Sequence, residues 1–164
     1  KKTNTVLKTM FKDGEGNVSA SGVKTTNNGD TRKALSRLVE FPGDLEEIKS
    51  CLAKTAEINP NGADSYGITA LHKFASWNKT DYIDAILPCL SIEERETKCP
   101  DGKTALHYAV EMASVGSVKT LVANGVNVDA KDGKGHTVKE ILDKAQPSGP
   151  IERLKKALES QSSD

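Results

Sequence analysis

Gly67-Ile68-Thr69-Ala70-Leu71-His72 and Gly102-Lys103-Thr104-Ala105-Leu106-His107 spell the same Gly-x-Thr-Ala-Leu-His string 35 residues apart. A weaker copy, Gly135-His136-Thr137-Val138, follows 33 residues later. Each element of the string has a local reason. A Thr hydroxyl can cap the orphan N–H groups at the start of a helix. The Leu one turn in then points at a core, and Ala75 and Ala109 keep the helix surface small for close packing. Gly67, Gly102 and Gly135 fall at the turn that opens each unit, and Gly125 falls where a helix ends, both positions that favour glycine. A helix pair of this size cannot bury its apolar face alone, so successive pairs must stack.

The spacing of 33 to 35 residues and the Thr-Ala-Leu-His string resemble those of ankyrin repeats. Two further stretches carry the resemblance. Ser117-Val118-Lys119-Thr120-Leu121-Val122 looks like the family's second helix, as does Gly43-Asp44-Leu45-Glu46-Glu47-Ile48-Lys49. Ala123-Asn124-Gly125-Val126-Asn127-Val128-Asp129-Ala130-Lys131-Asp132 is similar to the loop that leads into the next repeat. The resemblance covers about residues 31–160 and implies an all-α solenoid of stacked helix-turn-helix units joined by short β-hairpin loops. Four units are expected: 31–64, 65–99, 100–132 and 133–160, with divergent, more polar terminal caps.

Core seats follow from the helical spacing. They are Leu35, Leu38 and Val39, then Leu45, Ile48, Cys51 and Leu52 in the first unit. In the second they are Leu71, Phe74 and Ala75, then Tyr82, Ile83, Ile86 and Leu87. The stretch from Ser91 to Thr97 reads as an exit two residues longer than usual. The last unit is expected to place helices over Thr137 to Ala145 and Ile151 to Ser160, with Lys139 where the family has Leu. Residues 1–30 do not match the repeat; they read as a flexible leader or a short β-hairpin about Asp13-Gly14-Glu15-Gly16-Asn17. Residues 161–164 are expected to fray. Lys1-Lys2-Thr3-Asn4 lacks an initiator Met, which leads to the expectation of a fragment of a longer chain.

Composition narrows the function. Lys plus Arg and Asp plus Glu each total 23, and no unit departs from neutrality by more than two charges. No basic stripe for nucleic acid or polybasic membrane anchor is visible, and no apolar run approaches the ~18 residues of a membrane span. Cys51, Cys89 and Cys99 are odd in number and irregular in spacing, which favours a reducing, cytoplasmic compartment, with the nucleus as the alternative.

No catalytic apparatus, cofactor or metal site is expected. The resemblance implies that His72 and His107 bond backbone groups and tie neighbouring repeats together; the structural motif is Thr69, Leu71, His72, Thr104, Leu106, His107 and Thr137. Histidines one repeat apart lack metal-ligand spacing, and His136 is expected to be exposed. Cys99 with His107 is the one nearby nucleophile–base pairing, and Cys51 reads as a small buried hydrophobe. Asp13 to Asn17 lacks the twelfth-position Glu of a calcium loop. Asp132-Gly133-Lys134-Gly135-His136-Thr137 lacks the spacing of a phosphate loop. The resemblance also places Asn59 where the family carries a hydroxylatable Asn; Pro60 departs from the pattern, and Asp129 is read as the counterpart in the third unit.

The resemblance implies a binding module, monomeric when isolated, whose partner is a protein or peptide. Partners of such repeats usually meet the hairpin tips and the outer side of the first helices. Those positions hold Tyr66, Ile68 and Trp77, then Lys103, Glu111 and Met112, then Lys134 and His136. Tyr66, Ile68, Trp77 and Met112 are expected outside the core, because Leu71, Phe74, Leu106 and Val110 already fill the core seats. Exposed aromatics are enriched among binding hot spots. A stoichiometric enzyme inhibitor of the short ankyrin type and a spacer within a larger protein are the alternatives.

Overall fold

A computed structural model describes residues 30–39 and 43–160. The expected leader and tail lie outside them, apart from residue 30. The chain divides into two compact units, Lys1–Ala70 and Leu71–Asp164, each taken by itself below.

In the first unit β1 (Lys33–Ala34) runs parallel to β2 (Ile58–Asn59). Between them lie α1 (Leu35–Leu38) and α2 (Leu45–Leu52). Asp44 caps α2 by accepting from the Glu46 N–H at 3.0 Å. One face of α2 buries Ile48, Cys51 and Leu52, and Leu35, Leu38 and Ile58 are buried in the same small unit. Val39, expected inside α1, follows it as extended backbone and is nevertheless buried. The parallel pairing of β1 with β2 has no counterpart in the sequence reading. Two-residue strands carry no alternation to detect.

Helix α3 (Ala70–Ser76) straddles the unit boundary. The second unit continues with α4 (Thr80–Ile86), a 3-10 turn (Leu87–Cys89), α5 (Ile92–Arg95), α6 (Ala105–Glu111), α7 (Val115–Ala123), α8 (Val138–Lys144) and α9 (Gly149–Glu159). Packing follows two rows. Helix α7 lies between α4 and α9 in one row, α6 meets α8 in the other, and α6 with α7 and α8 with α9 close the pairs. Phe74, Ile83, Ile86, Val118, Leu121, Leu142 and Leu154 are wholly buried between them. The core of this unit matches the helical spacing seat for seat, including Tyr82, Leu87, Leu106 and Val110.

The long exit from Ser91 to Thr97 contains a helical turn, Ile92–Arg95. Ser91 Oγ accepts from the Glu94 N–H at 3.1 Å while Glu94 Oε2 accepts from the Ser91 N–H at 2.9 Å. This is the Ser-x-x-Glu capping box, a pattern present in the sequence that marks α5. Arg95 secures α5 by donating to the Leu87 carbonyl at 2.8 Å, and Glu96 accepts from the Asn127 N–H at 2.8 Å.

Two glycines separate backbone strain from crowding. Gly102 and Gly125 both sit in the left-handed region, φ +74° and +77°. A Cβ on Gly125 would meet open space, whereas one on Gly102 would lie 2.7 Å from Gly133 Cα. Gly125→Ala is therefore expected to cost about 1 kcal/mol, the left-handed penalty alone. Gly102→Ala must also displace the next turn and is expected to cost at least about 2 kcal/mol. Urea unfolding of both variants checks this; equal midpoints would remove the crowding argument.

Candidate functional site

Three turns of one design project from the first helices. In each, the first residue's N–H donates to the carbonyl four residues on: Asp64 to Ile68, Cys99 to Lys103, and Asp132 to His136, each at 2.9 Å. The expected β-hairpin loops are thus hydrogen-bonded turns with no assigned strand. Asp64 and Asp132 hold their turns from inside. Asp64 Oδ1 accepts from the Tyr66 and Ile68 N–H groups at 2.9 and 3.0 Å. Asp132 Oδ1 accepts from those of Lys134 and His136, both at 2.9 Å. The turns of the second unit are joined by Gly133 N–H donating to the Asp101 carbonyl at 2.9 Å.

The His136 N–H, with that of Lys134, holds Asp132 below the ordinary aspartate range, against the opposing effect of burial. A lowered folded-state value stabilises above the unfolded carboxyl's pKa, and that stability is lost as pH falls through the folded value. The last turn is therefore expected to loosen below about pH 4. Asp132→Asn should flatten that dependence. Amide shifts of Lys134 and His136 followed through acid titration check it; an equally steep change in the variant would contradict it.

Cys99 occupies the place of those aspartates. It is buried, and its Sγ accepts from the Tyr108 O–H at 3.5 Å. Burial, and then this contact, raise the Tyr108 phenol well above its ordinary value. The Cys99–His107 pairing does not form. His107 Nδ1 accepts from the Thr104 N–H at 3.2 Å and meets Thr104 Oγ1 at 2.9 Å. With Nδ1 an acceptor, Nε2 carries the proton and donates to the His136 carbonyl at 3.2 Å. Both ring nitrogens are engaged in structure. His72 does likewise, its Nε2 lying 3.0 Å from the Lys103 carbonyl. Each histidine thereby spans from its own helix to the following turn. Glu140 takes the histidine's place on α8 and completes a capping box with Thr137 at 2.8 and 3.2 Å. Cys51 is buried as expected, and among the described residues no group of three His, Cys, Asp or Glu could hold a metal ion.

The expected contact residues divide by exposure. Tyr66 is 80% and Met112 61% exposed. Ile68 is half-buried, its carbonyl accepting from the Ser36 hydroxyl. Trp77, expected outside the core, is half-buried with its ring tilted on Phe74 at 6.2 Å. The cause is local: three residues along a helix place the two rings on one face. His136, expected to be exposed, is also half-buried. Its Nε2 lies 3.2 Å from Lys144 Nζ. Lys103 Nζ pairs with Glu111 Oε1 at 2.7 Å, and that bond raises the Lys103 pKa. The His136–Lys144 contact is the same pair of positions one repeat on. Lys144 was missed from the sequence, although its place 33 residues beyond Glu111 is the signal that finds it. Ile92, 75% exposed on α5, lies in the long exit, outside the positions that the repeat pattern assigns to contacts.

Asn59 Nδ2 donates to Asp30 at 2.8 Å, and its Oδ1 accepts from the Asn61 N–H at 2.9 Å. Asn127 makes the same bond to the Asp129 N–H at 3.0 Å. The counterpart of Asn59 is therefore Asn127 rather than Asp129, since the side chain and not the loop count defines the turn.

The family model for ankyrin repeats, in three copies, matches residues 35–132. Transient receptor potential cation channel subfamily V member 2 of Homo sapiens is 37% identical to the chain over 114 residues. That similarity covers 60% of this chain and 14% of the human protein, so the chain spans a small part of the relative it matches.

Proposed function

The chain belongs to the ankyrin-repeat family, a family of protein-binding modules, and from that premise we propose that it binds a partner protein or peptide through the turn tips and first helices of its second unit. Met112 is the apolar contact, Trp77 contributes the open part of its ring, and Lys103, Glu111, Lys134 and His136 form the polar rim. The observation that carries this is Met112, 61% exposed at the end of a helix whose core seats are already filled by Leu106 and Val110. An unbranched thioether exposed beside an ion pair is suited to a surface that re-packs on a partner. Tyr66 and Ile68, in the first unit, are proposed as contacts in their own right. The three unpaired cysteines support a reducing compartment such as the cytoplasm.

Channel activity is not carried to this chain by a match confined to 14% of that relative. Among the described residues no helix is long and apolar enough to cross a membrane.

Met112→Glu tests the reading. The side chain is exposed, so stability should change by less than about 0.5 kcal/mol. Binding to a partner seated there should weaken by at least about 10-fold, the loss of a modest hot spot. The partner is first isolated by affinity capture and then titrated calorimetrically against wild type, Met112→Glu and Tyr66→Ala. Unchanged affinity for Met112→Glu would sink the second-unit surface, and loss only in Tyr66→Ala would move binding to the first unit.

A further inference from the structure

The chain is neutral, but its last repeat does not present a neutral surface. Asp132, Glu140 and Asp143 are the acidic side chains of its turn and first helix. Asp132 is turned inward onto the Lys134 and His136 N–H groups. Glu140 is bonded to Thr137 in the capping box. Asp143 lies 3.4 Å from Lys155 on the neighbouring helix. Their charges are thus answered by backbone N–H groups or by a lysine of α9.

The basic groups of the same stretch have no such partners. Lys131 and Lys134 are exposed and make no ion pair. Lys131 acts on Glu140 through space alone, as a minor contribution. Lys144 Nζ meets the imidazole of His136 rather than a carboxylate. Lys98 reaches across from the preceding repeat, donating to the Lys131 carbonyl at 2.8 Å. That bond brings a further ammonium group to the base of the turn. Asp101, exposed on the adjacent tip, and the exposed Asp129 are carboxylates of the same stretch that make no ion pair. Toward Met112 the surface changes character, because Lys103 and Glu111 neutralise each other.

We propose that the last repeat takes an acidic segment of a partner protein, whose carboxylates lie along Lys131, Lys134 and Lys144 while an apolar residue of the same segment sits on Met112. This rests on the binding face proposed above and names the chemistry of its occupant. Charge complementarity carries the choice: lysines without ion pairs can meet carboxylates without first breaking existing pairs, and such charges govern specificity and encounter rate. A protein segment is favoured over nucleic acid because the basic groups accompany an exposed apolar side chain, Met112, and are interrupted by the exposed Asp101 and Asp129. A nucleic-acid surface needs a continuous basic track.

The test uses fluorescein-labelled peptides of twelve residues in which Leu is spaced among Glu, beside matched peptides with Gln or Lys in place of Glu. Anisotropy is read with wild type, with Lys131→Glu/Lys134→Glu/Lys144→Glu, and with Met112→Glu. Thermal unfolding confirms that each variant is folded. The expected result is binding of the Glu peptide alone, weakened by about 10-fold in the triple variant. Raised salt should weaken it further, and amide shifts should cluster at Lys131, Lys134 and Lys144. Equal binding of the Glu and Gln peptides would overturn the acidic occupant. So would tighter binding of duplex DNA or phosphatidylserine vesicles lost in the same triple variant. If Met112→Glu weakens the isolated partner and the triple variant does not, the charge proposal falls and the binding face stands. If neither variant weakens it, both fall.

Discussion

Phe74→Ala should destabilise the second unit by about 3–5 kcal/mol, the range for removing a buried aromatic ring. Phe74 is wholly buried, meets Tyr82 edge-on at 5.3 Å and has Trp77 tilted against it at 6.2 Å. Its loss removes apolar burial and both ring contacts at once and leaves a cavity between α3 and α4. Domains of this size are commonly stable by ~5–15 kcal/mol, so the change approaches the lower end of the whole. Phe74→Leu keeps most of the volume and should cost less than about 1.5 kcal/mol. Trp77 is the one tryptophan in the chain, and its emission reports directly on this contact. Urea unfolding followed by that emission checks the pair. A Phe74→Ala midpoint close to that of Phe74→Leu would show that the site collapses around the gap.

His107→Leu should cost about 2–4 kcal/mol, although it exchanges a polar side chain for an apolar one of similar size in a buried place. The ring satisfies the Thr104 N–H and the His136 carbonyl, and it meets the Thr104 hydroxyl. Leu leaves these groups without partners, and a buried polar group left unpaired costs about 1–3 kcal/mol. The effect should also be directional. The His136 carbonyl belongs to the last turn, so hydrogen exchange there should accelerate more than in α4. Loss of protection spread evenly over the unit would argue that the histidine merely fills space. Because His107 lies at the root of the turn bearing Lys134, the same substitution should weaken partner binding without touching the partner.

The repeat and nearly every core seat were legible in the sequence. Leu71 and Phe74, and Leu106 and Val110, lie three or four residues apart on one helix face, and that local spacing is enough to read them as core. The Ser91–Glu94 capping box that starts α5 is equally local, a Ser-x-x-Glu pattern within one turn.

The exposure of single side chains was not legible in the same way. Trp77 and Met112 hold equivalent positions 35 residues apart, yet one leans on Phe74 and the other stands in solvent. The difference lies in what fills the neighbouring seat: an aromatic ring beside Trp77 and the smaller Ala109 three residues before Met112.

By itself, then, the sequence determined the family and the helix registers, because these follow from contacts between residues three or four apart and from the period of the repeat. Tertiary structure alone decided which charges remain available. By composition no segment carries a net charge larger than two. Folding turned Asp132 and Glu140 onto backbone groups, drew Asp143 to Lys155 on α9 and brought Lys98 beside Lys131 across 33 residues of chain. Electrostatic character depends on which partner each charge meets in space, and composition carries no record of that pairing.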